Sequence, residues 1–218
     1  MFFLSLVHFL WRYFFTFSAP APAVTSGAAI AVNVALFSVF ALHHSLLARS
    51  GAKAWVRRVF PGDQERTAYV WVASLLFVAT CALWRPVAGI AWHVTGTASM
   101  GLWLGQALGV ALTAWSAATL GIWELAGVSL PSRQNLPPAE LRSDGVYGVV
   151  RHPIYFAWLL LVWSVPYMNG TRVTFALVST LYLVVAVPFE ERSLVRTFGP
   201  AYARYQQHVR WRMLPFIY

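Results

Sequence analysis

The chain has 218 residues, of which 59% are hydrophobic and only 11% are charged. A soluble globular protein cannot cover its surface with so few polar residues, so we expect lipid to be the solvent for much of the chain. The formal net charge of +9 does not indicate nucleic-acid binding, because the basic residues lie in short stretches between apolar segments rather than along one polar face.

The first predicted element is a short aromatic helix from Phe2 to Phe17. This segment is apolar but carries His8 and Arg12, and it lacks the basic start of a signal peptide. We interpret it as an interfacial or partly inserted helix, and a sixth membrane span is the alternative.

Four further apolar regions reach the length of roughly 20 residues that a helix needs to cross the hydrocarbon. They run from about Thr25 to Ala48, from about Thr67 to Ile90, from about Ala98 to Val128 and from His152 to about Phe189. The last region is a predicted hairpin, in which one helix ends near Tyr167, residues 168–170 turn, and a second helix begins at Thr171. The sequence therefore predicts an all-α membrane protein, organised as a single membrane domain with about five transmembrane helices.

The third predicted span carries small residues at every fourth position, which lets a neighbouring helix approach closely along one face. These residues are Gly101, Gly105, Gly109, Thr113, Ala117 and Gly121. We interpret the stripe as a helix-packing surface, because no ligand group interrupts it.

Basic residues concentrate in three segments, which lie after the first span, after the third span and in the C-terminal tail. They are Arg49, Lys53, Arg57, Arg58 and Arg66, then Arg133, Arg142 and Arg151, then Arg192, Arg196, Arg204, Arg210 and Arg212. With five spans all three segments fall on one side of the membrane, and the opposite loops hold only Arg85 and Arg172. The positive-inside rule therefore predicts a cytoplasmic C-terminus.

Ionisable and aromatic residues gather at the ends of the last two predicted spans. Pro153 suits the first turn of a helix, so Arg151 and His152 would lie at the mouth of the fourth span. The hairpin would return Glu190 and Glu191 to the same membrane face. Together they offer a carboxylate for an ammonium group, a guanidinium for a carboxylate and aromatic faces for a ring, which suits a zwitterionic, cationic cofactor.

The C-terminal third carries a recognisable pattern, with RHPIY at 151–155, EERSL at 190–194 and FGPAYARY at 198–205. This pattern resembles the isoprenylcysteine carboxyl methyltransferases and their phospholipid-methylating relatives. The resemblance implies that residues 127–218 bind S-adenosylmethionine under a cytoplasmic cap. The cofactor contacts that it implies are Gly145, Tyr147, His152, Tyr155, Glu190, Glu191 and Tyr205. It also implies that Arg151 lies nearest the reacting groups. We predict catalytic roles for Arg151 and for Glu190, which could take the proton of a thiol acceptor, and Glu191 is the alternative for that proton transfer.

Three upstream stretches resemble bacterial membrane thiol methyltransferases of the methanethiol S-methyltransferase type. They are ALHHSLLAR at 41–49, ERTAY at 65–69 and WRP at 84–86. This resemblance implies S-methylation of a small or lipophilic thiol in a bacterial inner membrane, with membrane lipid as a partner. The stretch ELAGV at 124–128 departs from the pattern of those enzymes, so a prenylated cysteine carboxylate and a phospholipid amine stay open as acceptors.

Two other functions stay open at this point. Sterol reductases resemble the family at the C-terminus and would bind NADPH in a similar pocket. In a reductase, however, we expect more basic residues than this chain has at that place, because they must bind the 2′-phosphate. A non-catalytic membrane scaffold is the other alternative, and cofactor binding would distinguish it from both enzymes. We expect no metal site, because Cys81 is the only cysteine and the adjacent His43 and His44 would point about 100° apart on a helix.

Overall fold

The computed structural model describes residues 1–20, 23–24, 27–46, 64–128 and 141–218, and this part of the chain is mainly helical. The helices are α1 (Phe2–Trp11), α2 (Gly27–Leu46), α3 (Gln64–Leu83), α4 (Thr97–Leu120), α5 (Ile122–Leu125), α6 (Pro153–Trp163), α7 (Gly170–Phe198) and α8 (Pro200–His208). Two short strands, β1 (Ile90–His93) and β2 (Tyr167–Asn169), pair antiparallel. Several residues of the sequence predictions lie outside the described residues, namely Thr25, Ala48, Arg49, Lys53, Arg57, Arg58 and Arg133.

Within the described ranges, three helices are long and apolar enough to cross a membrane, and they are Gly27–Ser45 within α2, α3 and α7. The predicted third span is also one helix, α4, of 24 residues. Each of the five predicted spans thus contains a helix, and the prediction of an all-α membrane protein is confirmed.

The predicted fourth span is shorter than expected. Helix α6 has 11 residues, which gives a length of about 16 Å, roughly half of the hydrocarbon thickness. Pro166 disfavours a helical conformation at Val165, which accounts for the end of α6 just before that residue.

The predicted turn at residues 168–170 is instead the strand β2 and the start of α7. In the β-ribbon His93 lies opposite Tyr167, and Ile90 lies opposite Asn169. The side chain of Asn169 then caps α7, because its Oδ1 accepts a hydrogen bond of 3.0 Å from the backbone N–H of Arg172. Helix α7 continues through Pro188 to Phe198, so Glu190 and Glu191 lie inside it rather than after it.

The chain divides into two compact units. The first comprises Met1–Val94, Trp123–Pro131 and Tyr167–Ser179, and the second comprises Thr95–Ile122, Ser132–Pro166 and Thr180–Tyr218. The organisation of the whole chain as a single membrane domain stays a prediction.

The first unit has an aromatic core that includes the N-terminal helix. Helix α1 continues as a π-helical turn over Arg12–Thr16, and one face of this segment is buried. On that face the ring of Phe9 lies 5.4 Å from Phe77 and 5.5 Å from Phe175, and Phe17 lies 5.6 Å from Phe175. The N-terminal segment is therefore packed against other helices of this unit.

The sequence placed Arg172 in a loop between two spans. In the structure this residue belongs instead to the core of the first unit. It is buried, and its Nη2 donates to the carbonyl oxygens of Tyr13 at 2.9 Å and Phe14 at 3.1 Å. These carbonyls lie in the π-helical turn after α1, where part of the backbone lacks helical partners. The guanidinium thus satisfies backbone groups, which explains a buried arginine at this position.

In the second unit α4 packs against α6 through part of the small-residue stripe. A Cβ atom on Gly109 would lie 2.8 Å from both the carbonyl oxygen of Ala157 and the backbone nitrogen of Leu161. Nearby, the buried Gln106 donates from Nε2 to the carbonyl oxygen of Leu161 at 3.1 Å. A Cβ on Gly101, by contrast, would meet nothing within 4 Å. The stripe is therefore a helix-packing surface over its middle part.

This difference predicts opposite effects for two alanine substitutions on α4. We expect Gly109→Ala to lower the free energy of unfolding by about 1–3 kcal/mol, because backbone atoms of α6 cannot move aside easily. Gly101→Ala is the matched control and should be neutral or stabilising, since alanine favours a helix over glycine by up to about 1 kcal/mol. Thermal unfolding in detergent measures both effects. Equal shifts of the melting temperature in the two variants would contradict the packing.

Candidate functional site

The C-terminal tail runs beside the start of α6. The backbone N–H of Arg151 donates to the carbonyl oxygen of Trp211 at 2.9 Å, and that of His152 donates to the carbonyl oxygen of Arg212 at 2.8 Å. His152 is the N-cap residue of α6 and Pro153 occupies the first turn, as predicted. These two backbone bonds fix the tail at the mouth of the helix, where the predicted site residues begin.

Arg151 and Glu191 form a buried ion pair. Arg151 is 8% exposed and Glu191 is 4% exposed, and the Nε atom of the arginine lies 2.6 Å from Oε1 of the glutamate. Nη1 of Arg151 donates to the carbonyl oxygens of Val209 at 2.7 Å and Arg210 at 2.9 Å. Nη2 makes no hydrogen bond to the described part of the chain.

A second arginine, Arg212, engages the other oxygen of Glu191. Its Nε atom lies 3.1 Å from Oε2 of Glu191, and its Nη1 atom donates to the hydroxyl of Tyr218 at 3.1 Å. His152 also lies near, with Nε2 at 3.5 Å from Oε1 of Glu191. Arg212 was not predicted as a site residue, because it lies in a tail whose arginines all fit the positive-inside rule.

Glu190 has a different environment from its neighbour. Its Oε2 accepts a hydrogen bond of 2.6 Å from the hydroxyl of Tyr155, and 42% of its side chain is exposed. The rings of His152 and Tyr155 are parallel, with 5.4 Å between their centroids and 6° between their planes. Nδ1 of His152 lies 3.8 Å from Oε2 of Glu190. An accessible carboxylate thus lies beside two stacked rings.

Two predicted tyrosines join the turn before α6 to α8. The hydroxyl of Tyr205 donates to the carbonyl oxygen of Tyr147 at 2.6 Å. Burial raises the pKa of Tyr205 to about 12, so its hydroxyl keeps the proton that this bond needs. Burial raises the pKa of Tyr147 as well, and a nearby negative charge on Glu190 adds to this effect.

Gly145 begins the 3₁₀ turn Gly145–Gly148 with a φ of +56°. This left-handed conformation favours glycine, so backbone geometry explains why a glycine occupies this position. The atom nearest to an added Cβ would be a ring carbon of Trp115, at 3.8 Å. The structure thus brings Arg151, His152, Tyr155 and the two glutamates into one cluster, and Gly145 shapes the turn that leads to it.

A groove with a volume of about 330 Å³ opens along the tail. Its lining residues are Gly148, Val149, His208, Val209, Arg210, Trp211, Pro215 and Phe216. Val209 and Arg210 are also the residues whose carbonyl oxygens bind Arg151, so the groove and the ion-pair cluster share one backbone segment. Three of these residues were not predicted from the sequence, because they lie outside the RHPIY, EERSL and FGPAYARY stretches, namely His208, Trp211 and Phe216.

Comparison with known proteins gives the family. The sequence model of the phospholipid methyltransferase family matches residues 95–201. The methanethiol S-methyltransferase of Pseudomonas deceptionensis is 33% identical over 197 residues, covering 86% of this chain and 74% of the relative. The enzyme of the same name from Mycobacterium tuberculosis is 34% identical over 194 residues, covering 87% of this chain and 80% of the relative.

A third relative, from Crocosphaera subtropica, is 31% identical over 194 residues, covering 87% of this chain and 76% of the relative. No solved structure matches the chain. The similarity therefore extends far beyond the C-terminal third, over the upstream stretches as well. The resemblance found in the sequence is confirmed, and this membrane protein is a methyltransferase that belongs to the methanethiol S-methyltransferase family.

Proposed function

We propose that the protein transfers the methyl group of S-adenosylmethionine to a small thiol such as methanethiol. The observation that carries this proposal is the 33% identity, over 86% of the chain, to a protein named for methylation of methanethiol. The cluster at the start of α6 supports it, because its charges and rings suit a zwitterionic methyl donor.

The side chains around Glu190 fit S-adenosylmethionine by their chemistry. The accessible carboxylate of Glu190 can bind the ammonium group, and the stacked rings of His152 and Tyr155 can face the sulfonium cation. The groove of about 330 Å³ lies at the lower end of the range for small-molecule pockets, about 300–1,000 Å³. The ring of Trp211, which lines this groove, offers apolar surface for the adenine base.

We assign Glu191 a supporting role in this site. Both of its oxygens face arginines, at 2.6 Å from Arg151 and 3.1 Å from Arg212, which leaves little capacity for a ligand. Its negative charge balances the guanidinium of Arg151 and fixes its orientation. Tyr147, Tyr205 and Gly145 hold the turn that borders the groove.

Arg151 provides the positive charge that a thiol acceptor needs. When bound, S-adenosylmethionine supplies a methyl group on a sulfonium; the acceptor thiol first releases its proton, and transfer to the resulting thiolate yields a thioether and S-adenosylhomocysteine. The free Nη2 of Arg151 can bind the acceptor sulfur, and a nearby positive charge lowers the pKa of a thiol.

The experiment uses purified protein in detergent with methyl-labelled S-adenosylmethionine. The acceptors are methanethiol, a longer alkyl thiol, a farnesylated cysteine and phosphatidylethanolamine, and labelled dimethyl sulfide in the headspace is the expected product. Label only in the farnesylcysteine ester or the phospholipid amine would reject the thiol acceptor and keep the methyltransferase. Binding of NADPH without binding of S-adenosylmethionine would reject the donor.

We also propose that the tail faces the cytoplasm of a bacterial cell, where a water-soluble methyl donor is available. Residues 192–218 contain five arginines and no acidic residue, which favours the cytoplasmic side. A phosphatase and a fluorescent protein, each fused after Tyr218, report the two compartments. We expect fluorescence and no phosphatase activity, and the reverse result would contradict this orientation.

A further inference from the structure

The segment Met213–Tyr218 is a closed loop with two exposed apolar side chains at its end. The N–H groups of Met213 and Leu214 donate to the carbonyl oxygen of Tyr218 at 2.8 and 2.9 Å, and Tyr218 donates back to Leu214 at 3.0 Å. Phe216 has a φ of +66°, and no other non-glycine residue in the described ranges has a positive φ. Phe216 is 83% exposed and Ile217 is 77% exposed. We call these two residues the tip.

The base of the loop lies against the apolar parts of two helices. Met213 is buried in a cluster with Leu159 of α6 and with Leu183 and Val187 of α7. Leu183 and Val187 belong to a helix long and apolar enough to cross a membrane. The next turn of α7 carries Glu190, whose side chain is polar and accessible. The loop therefore leaves the protein where the apolar surface of α7 gives way to polar surface.

The C-terminal segment that ends in the tip carries positive charge. Between residues 192 and 218 there are five arginines and no Asp or Glu. Four of these arginines, namely Arg192, Arg196, Arg204 and Arg210, are exposed. An exposed phenylalanine and isoleucine next to arginines match the boundary between acyl chains and anionic headgroups.

We propose that the tip and the exposed arginines of residues 192–210 form a docking surface for anionic phospholipid, with Phe216 and Ile217 in the acyl boundary and the arginines on the headgroups. The exposure of both side chains supports this, because adjacent apolar residues that are 83% and 77% exposed leave a large apolar area without cover from the described residues. Phe216 also lines the groove, so lipid that holds its ring fixes one wall of the groove.

The depth of the tip can be measured with a nitroxide label. Cys81 is fully buried, so a Phe216→Cys variant takes the label at the new cysteine, and a variant without it gives the background. The matched control is Ala203→Cys, which places the label on the exposed face of α8. In nanodiscs we expect the label at 216 to be relaxed more by oxygen than by a water-soluble nickel complex, and the label at 203 to show the reverse. Equal access of nickel to both labels would overturn the proposal.

The preference for anionic lipid needs a second comparison. Label mobility at position 216 should be lower in phosphatidylglycerol nanodiscs than in phosphatidylcholine nanodiscs, and the double variant Arg204→Gln/Arg210→Gln should lose this difference. Ile217→Cys repeats the measurement without altering Phe216. Identical mobility in the two lipids would overturn the proposal, as would dipolar broadening between labels, which would identify a second copy of the chain as the partner.

Discussion

Glu191→Gln is expected to lower the free energy of unfolding by about 3–5 kcal/mol and to abolish measurable methyl transfer. The substitution keeps the shape of the side chain but removes the negative charge. The buried guanidinium of Arg151 would then lie near that of Arg212 with no carboxylate between them. Thermal unfolding in detergent and initial rates of methyl transfer measure the two effects.

The neighbouring residue provides the control for this prediction. Glu190→Gln removes one negative charge at the adjacent position of the same helix, but 42% of the Glu190 side chain is exposed. Water already solvates and screens this charge, so its removal should change the free energy of unfolding little. The melting temperature should therefore stay near that of the original protein. A Glu191→Gln variant that unfolds at the original temperature would show that the ion pair does not hold the tail.

Glu190→Gln should instead weaken the binding of S-adenosylmethionine by about 10-fold to 100-fold. The reason is the loss of a charge-assisted hydrogen bond to the ammonium group, which contributes about 1.5–3 kcal/mol. Binding of radiolabelled cofactor to the purified variant measures the affinity directly. Steady-state kinetics should show a higher KM for the cofactor with a smaller change in kcat.

Arg192→Gln is the matched control for cofactor binding, because Arg192 follows two residues later and is exposed. It should bind the cofactor like the original protein. A Glu190→Gln variant with lower kcat and unchanged KM would assign Glu190 to proton transfer from the acceptor. Unchanged affinity and unchanged kcat would contradict any contact between Glu190 and the reactants.

The sequence was sufficient to predict the helices and the charged cluster, because both depend on local signals. Pro153 marks the start of α6, and the apolar run before Glu190 marks a helix that returns to the same end. Together these signals bring Arg151 near Glu191, although 40 residues separate them. The small-residue stripe predicted a close helix contact, and Gly109 makes one.

The remaining features depend on long-range backbone contacts that leave no local pattern. The tail pairs with Arg151 and His152 through backbone groups, and any sequence without proline could form such bonds. The contact of Arg212 with Glu191 depends on this pairing. The sequence therefore could not distinguish Arg212 from the four other arginines of the tail. The predicted length of α6 was wrong. The apolar composition continues to Val165, but the helical conformation ends at Trp163, before Pro166.

The contacts of Arg151 have a consequence for the order in which the protein is made. Its side chain binds carbonyl oxygens that lie 58 and 59 positions later in the chain. Translation proceeds at about 5–20 residues per second, so α6 is synthesised seconds before its arginine can find these partners. A ribosome that stalls before residue 209 would leave a chain that contains α2, α3 and α7 but lacks the carbonyl partners of Arg151. Such a nascent chain would insert into the membrane as a catalytically silent protein.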